Sequence, residues 1–310
     1  MTAPRVTVMG SFVVDLMARA PHLPQIGETV KGDGFLIGPG GKGSNQGVAA
    51  HKAGAEVDMI TKIGRDDFGQ IALESFGREG MNTRYVLRDD ELATGAALIM
   101  VDHNTGDNKI LVSLGACCNI TEADIEQARG AIETNPVFLT QLETNLDAVE
   151  RAMGIAAGKG VRIILNPAPA CEVPDGLLGL VDILTPNEVE ASILSGVTVS
   201  TPRDAGEAAQ VLMGKGTKNV VITMGSQGVY AVTGEEERFI PSMEVACVDA
   251  TGAGDAFSGA LATAIAEGRG FFEAVEFANT AAALSVTKIG TAIAMPSRDE
   301  IDRAMGRRGT

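Results

Sequence analysis

Tryptophan is absent from this 310-residue chain, tyrosine occurs twice, and aromatic residues make up 4% of it. So little ring surface argues against a site that stacks bases or nucleosides between aromatic side chains. Excess positive charge is missing too. Lysine and arginine number 25 against 40 acidic residues, a formal charge of −15, and no basic run exceeds Arg307-Arg308. That balance argues against nucleic acid and anionic membranes as partners. A polyphosphate ligand would then need local devices: helix N-termini, one or two lysines, a divalent cation. The four cysteines, Cys117, Cys118, Cys171 and Cys247, show no C-x-x-C spacing and no neighbouring histidine, so zinc is not expected. Free, buried thiols in a reducing compartment are. No leader-like segment precedes the first apolar run, Arg5-Val-Thr-Val-Met9, and no run is long enough to span a membrane. A cytoplasmic enzyme is the expectation. Repeats, low-complexity tracts and compositional breaks are also lacking, and 45% hydrophobic content suits one large α/β core.

What is present alternates. Apolar runs suited to strands fall near 57–63, 136–142, 161–166, 182–186, 219–224, 229–233 and 238–240. Helical spacing falls near 44–53, 67–79, 122–133, 145–158, 188–195, 203–214, 255–267, 271–287 and 297–305. Runs such as Val57–Ile63 and Val161–Leu165 are apolar nearly throughout, as in a parallel sheet covered on both faces. The pattern predicts an α/β, doubly wound, mostly parallel sheet. Two more polar, extended ribbons, about 12–37 with a strand-like Glu28–Lys31 and about 94–113, are expected to pair into a small β lid. Ligands of such sheets lie beyond the carboxyl ends of the strands. Polar residues stand at those ends: Asp15, Glu143, Asn166, Asn187 and the run Thr223–Gly228.

Val245–Phe257, V-A-C-V-D-A-T-G-A-G-D-A-F, runs into a helix whose Phe257, Leu261 and Ile265 share a face and which closes at Gly268. Gly252 and Gly254 leave backbone N–H groups of the first turn bare, an anion hole. Asp255 at its lip, kept ionised by the helix dipole, is placed to take a proton from a hydroxyl attacking phosphorus. A plain acidic helix N-terminus accounts for the same four residues. A second glycine-rich stretch, Gly38–Asn45, follows a polar ribbon where a dinucleotide fold needs a buried strand, and Lys42-Gly43 breaks the P-loop pattern. Lys42 offers a charge, and Asn45 a donor and an acceptor suited to sugar hydroxyls.

Gly40-Gly-Lys-Gly-Ser-Asn45 and Asp249-Ala-Thr-Gly-Ala-Gly-Asp255 resemble the two signatures of the ribokinase-like (PfkB-type) carbohydrate kinases. Between them, Gln141-Leu-Glu143, Asn166–Ala170, Thr185–Glu188 and Thr223–Ser226 follow in the family's order. The resemblance implies a ribokinase-like three-layer fold. It also implies ATP as phosphoryl donor, Mg²⁺ between the phosphates, and a pentose, D-ribose first, phosphorylated on its terminal hydroxymethyl. It implies Asp255 as catalytic base and Gly252, Ala253 and Gly254 as anion hole. Sugar contacts would come from Asp15, Gly41, Lys42, Asn45 and Glu143, and nucleotide contacts from Asn187, Thr223, Gly225, Ser226, Gly228, Gly254 and Asn279. It further implies an activating K⁺ at Asp249, Thr251, Ser285, Lys288 and Gly290, and a homodimer paired through the lid. Two positions depart from the pattern. Ala294 lacks the usual hydroxyl near the cation, and Val13 replaces the sugar-binding Asn, leaving 2-deoxyribose or another pentose or ketose as an alternative. A non-catalytic sugar or nucleotide sensor would not need Asp255.

Overall fold

In the first strand, Val6 and Val8 enter one hydrophobic core and Met9 the other, while Thr7 Oγ1 donates to Ala131 O on the Met9 side. Alternate residues of a strand point to opposite faces, so an apolar run of this kind must be covered twice. The computed structural model, which describes residues 3–306, does this with helices on both faces. Its strands are β1 (Arg5–Met9), β2 (Val13–Ala20), β3 (Gly34–Gly40), β4 (Glu56–Ile63), β5 (Val86–Arg88), β6 (Thr94–Asp102), β7 (Asn108–Gly115), β8 (Val137–Thr140), β9 (Arg162–Leu165), β10 (Ile183–Leu184), β11 (Asn219–Thr223), β12 (Gly228–Val232) and β13 (Glu237–Pro241). Its helices are α1 (Lys42–Lys52), α2 (Asp67–Arg78), α3 (Glu122–Thr134), α4 (Leu146–Gly158), α5 (Asp175–Leu178), α6 (Glu188–Ser195), α7 (Pro202–Gly214), α8 (Ala253–Ala266), α9 (Phe271–Ser285) and α10 (Arg298–Gly306).

The large sheet has nine strands in the order β13-β12-β11-β10-β9-β8-β1-β4-β5. Strands from β11 to β5 pair in parallel; β12 and β13 add an antiparallel edge. From β1 the chain builds first towards β4 and later towards β8, and that reversal of direction opens a crevice at the carboxyl end of β1. Residues from α1, α2, α8 and α9 pack in the Val6 core, and residues from α3, α4, α6 and α7 in the Met9 core. Local chemistry sets the helix starts. Thr121, Asn187 and Thr201 each cap the backbone three residues on and are capped in return by Asp124, Glu190 and Asp204.

The two ribbons do form one small sheet, β3-β2-β6-β7, with β2 and β6 parallel at its centre. The strand expected at Glu28–Lys31 is not there; Glu28 N–H closes a turn on Gln25 O, and the pairing strands are β2 and β3 on either side. β5 and α5 are too short to give a periodic signal.

Helix α8 is not amphipathic as expected, since every residue from Asp255 to Ile265 is buried. It is the central helix of its layer, packed on α1 and α9. The α1 contact requires a glycine: a Cβ on Gly259 would lie 2.5 Å from Gln46 O and 2.6 Å from Ala49 Cβ. Only a backbone without a side chain lets the two helices close to this distance, and their N-termini then meet over the crevice. Helix α1 itself begins at Lys42, a few residues earlier than its apolar spacing suggests, because Gly41 at φ +90° supplies the break.

Candidate active site

The crevice holds a cavity of about 160 Å³ lined by Lys42, Asn166, Asn187, Glu190, Thr223 and the Ala250–Asp255 turn, among others. A groove of about 640 Å³ between α3 and α4 is larger. Its guanidinium groups, however, are already paired: Arg129 with Glu126 and Glu133, Arg151 with Glu122 and Glu126. We therefore assign the chemistry to the smaller cavity.

Gly252 stands at φ +78°, the left-handed turn that opens α8. Glycine there answers a backbone need. Gly254 is different: its φ is ordinary and a Cβ would meet nothing within 4 Å, so its bareness keeps space clear over the helix N-terminus. Among the described residues, the N–H groups of Gly252, Gly254 and Asp255 donate to no other group, whereas Ala253 N–H reaches Ala250 O at 3.3 Å. The turn thus presents unpartnered donors beside the first positive end of a buried helix.

Asp255 lies behind that turn, 6% exposed, and not at an open lip. Asn45 Nδ2 donates to its Oδ2 at 3.0 Å and Gln46 Nε2 to its Oδ1 at 2.9 Å. Burial pushes its carboxyl above the usual range; the Lys42 charge and the two amides pull it down, and Glu143 adds to the rise. Desolvation is the largest of these influences, where the sequence pointed to the helix dipole. A base with an elevated pKa is a stronger proton acceptor once ionised.

Lys42 lines the same cavity. Burial works against its charge, but Asp255, Glu143 and Glu190 outweigh that and hold it above the ordinary lysine value. Glu143 Oε2 accepts from Ser11 Oγ at 2.5 Å and Lys42 N–H at 2.9 Å, tying β8's end to the start of α1. Asp15 sits within β2, opposite Gly38 and Ala97, and its carboxylate makes no hydrogen bond to another described residue. Burial first, then Glu143 and Asp255, raise it to about 6. Gly40 leaves room for it: a Cβ there would lie 2.2 Å from Asp15 Oδ1. Val13, 3% exposed, precedes Asp15 by one turn of the pleat and lies beside Gly95.

Asn187 and Thr223 reach the cavity, and a bridge links their backbones. Gly225 and Ser226 lie in the exposed 3₁₀ turn after β11 and the buried Gly228 opens β12, with φ of +52° and +121° at the two glycines. Asn279 does not line the cavity; its amide donates to Pro241 O at 2.9 Å. Asp249 accepts from Thr251 N–H and Gly290 N–H, both at 3.0 Å, which joins the two loops. The Ser285 hydroxyl turns back to Ala282 O, and the Lys288 ammonium pairs outward with Glu300. A monovalent cation there would rest on Asp249 and backbone carbonyls. Glu190 was not singled out in the sequence. It lines the cavity, is pushed upward by burial, and its spacing from Asn187 reads first as a capping box. All four cysteines are free, but only Cys117 is buried, contrary to expectation.

A buried carboxylate facing unpartnered helix N–H groups and one lysine defines a phosphotransferase site on a doubly wound sheet. Comparison with known proteins gives the family. Residues 3–298 match the pfkB family carbohydrate kinases, and the chain belongs to that family. A ribokinase of Haemophilus influenzae is 41% identical over 294 residues, 95% of this chain and 96% of the relative. A deoxyribokinase of Salmonella typhi is 36% identical over 298 residues, 96% of this chain and 97% of the relative. The structure of Arabidopsis thaliana ribokinase complexed with ribose and ATP superposes with a TM-score of 0.88 at 30% identity, covering 97% of this chain and 98% of that one. The protein is thus a carbohydrate kinase, with the three-layer fold of its relatives.

The unpartnered Asp15 carries a testable cost. A carboxyl raised from 3.8 to about 6 favours the fold when protonated; that contribution is complete below pH 3.8 and lost as pH rises through about 6. Asp15→Asn removes the loss. The ligand-free variant should melt above the parent near pH 7 by the equivalent of about 2–3 kcal/mol, with the gap closing below about pH 4. Equal melting curves at both pH values would show that Asp15 is not held in this unfavourable state.

Proposed function

We propose that this chain transfers the γ-phosphate of ATP to the terminal hydroxymethyl of a pentose, with D-ribose the first substrate, as a cytoplasmic homodimer. The observation that carries it is Asp255: buried, held by two amide donors, and opening with the bare Gly252–Gly254 turn into one cavity. In this reading the sugar hydroxyl lies against Asp255, which takes its proton as oxygen attacks phosphorus. Unpartnered N–H groups of the turn stabilise the charge that develops on the transferred group, and Lys42 adds a positive charge from the other side. Asp15, Gly41, Asn45 and Glu143 hold the sugar; Asn187, Thr223, Gly225, Ser226 and Gly228 hold the nucleotide, with Asn279 supporting the β13 edge beside it. The small sheet acts as a lid that excludes water.

The residues fit a divalent cation of the kind phosphates bring. Glu190 is a carboxylate at the cavity wall besides Asp255, and Mg²⁺ habitually combines one or two carboxylates with phosphate oxygens and water. Bound there, Mg²⁺ would neutralise phosphate charge. For K⁺, the fit is with Asp249 and carbonyls of Thr251, Ser285, Lys288 and Gly290, since the last loop offers no hydroxyl at Ala294. Four free thiols support a reducing compartment. On the small sheet, Phe35, Leu36, Ile37, Leu98, Ile110 and Leu111 are each at least half exposed, an apolar edge sheet that a second copy would cover.

Val13 favours a second reading, a 2-deoxyribose kinase. An apolar side chain buried beside Asp15 leaves a hydroxyl unpaired at a cost of about 1–3 kcal/mol, and the similar Salmonella protein is named a deoxyribokinase.

Three measurements test these assignments. Asp255→Asn should keep ATP affinity within a few-fold while turnover drops on the order of 10²–10⁴-fold; near-parent turnover would remove Asp255 as the base. Val13→Asn should raise the ribose-to-deoxyribose ratio of kcat/KM about tenfold, measured with and without potassium in the same coupled assay. An unchanged ratio would leave Val13 as packing, and indifference to potassium against sodium would remove the cation. Sedimentation should give the mass of two chains, and a monomer would count against the lid dimer.

A further inference from the structure

A chain of buried amides runs behind the cavity, from the end of β8 to α8. Gln141 Nε2 donates to Gln46 Oε1 at 2.6 Å, and Gln46 Nε2 donates to both Asp255 Oδ1 and Asn166 Oδ1 at 2.9 Å. Asn166 Nδ2 in turn donates to Thr185 O at 2.8 Å. Gln46 and Gln141 are 0% exposed, and neither lines the cavity. Its near end is tightly built, since a Cβ on Gly10 would lie 2.0 Å from Gln141 Oε1.

The direction of donation along this chain is fixed from its far end. A backbone carbonyl can only accept, so Thr185 O orients the Asn166 amide with nitrogen towards it and oxygen towards Gln46. Gln46 must then present nitrogen to Asn166 and Asp255, and oxygen to Gln141. The donor that meets Asp255 is therefore set by the scaffold, with no help from Asp255 itself.

We infer that Gln46 is a positioning residue for phosphoryl transfer: it fixes the plane of the Asp255 carboxylate and favours its ionised form. This rests on Asp255 being the base. The other charged groups facing Asp255 are Lys42 from α1, Glu143 beyond β8, Asp15 from β2 and Glu190 from α6. Gln46 contributes no charge of its own, and replacing it leaves all four in place.

The experiment measures single-turnover rate against pH, at saturating sugar and ATP, for the parent, Gln46→Leu, Gln46→Glu and Asp255→Asn. Gln46→Leu should lower the rate about tenfold or more with both KM values little changed. Its acid limb should move alkaline by about one pH unit, the loss of one hydrogen bond to a carboxylate. Gln46→Glu, the same shape with a fourth carboxyl group against Asp255, should move it further. The limb is read from the shape of the profile, so it does not depend on the fraction folded. A packing role would scale the rate equally at every pH, and an unmoved limb in Gln46→Leu overturns the inference. Should that variant not fold, Gln141→Leu, which frees the Gln46 amide without touching Asp255, should give a smaller shift of the same sign; no shift there overturns it as well. Near-parent turnover in Asp255→Asn would instead sink the base assignment beneath it, whereas an inactive Asp255→Asn with an unmoved Gln46→Leu limb sinks only the role of Gln46.

Discussion

Burial of the Asp255 carboxylate within a fully packed helix layer is the constraint on which the site depends. Desolvation pushes its pKa upward. The opposing influences come from α1: the Lys42 charge, the Asn45 amide and the Gln46 amide. They reach Asp255 because Gly259 allows α1 and α8 to touch backbone to backbone. A single absent side chain, halfway along a helix, thus sets the distance between Asp255 and the α1 groups that act on it.

The same crowding explains the arrangement around Lys42. Glu143, Glu190 and Asp255 act on one ammonium, and Asp15 in turn feels Glu143 and Asp255. Glu143 is held by Ser11 and the Lys42 backbone, and Glu190 by its capping box, but Asp15 has no partner among the described residues. Unmatched buried charge is a standing cost to stability, tolerated where a ligand group completes it. A sugar bearing hydroxyl donors is the kind of ligand that would do so, consistent with a carbohydrate kinase.

Much of this was legible in the chain itself. Near-continuous apolar runs at Val57–Ile63 and Val161–Leu165 identified parallel strands because both faces of such strands are covered, and β4 and β9 are parallel strands paired on both sides. Polar residues at strand ends located the crevice. The ribbon at Glu28–Lys31 misled, since a short alternation in a polar loop matches a strand without having a partner to pair with. Glu190 was hidden for a related reason: its local role as a helix cap accounts fully for its spacing. Asn279, far along the chain, has an amide that supports β13, a contact the sequence did not reveal.

The sequence by itself determined the layer architecture, the glycine turn ahead of α8 and the identity of the acid beside it, because periodicity, φ preference and helix capping act over a few residues. Tertiary structure alone decided that Asp255 is buried, that Gln46 and Asn45 hold it, and that Asp15 stands unpaired at a raised pKa. Those properties arise from groups up to 210 positions apart in the chain, brought within hydrogen-bonding distance by a helix contact that leaves no periodic trace.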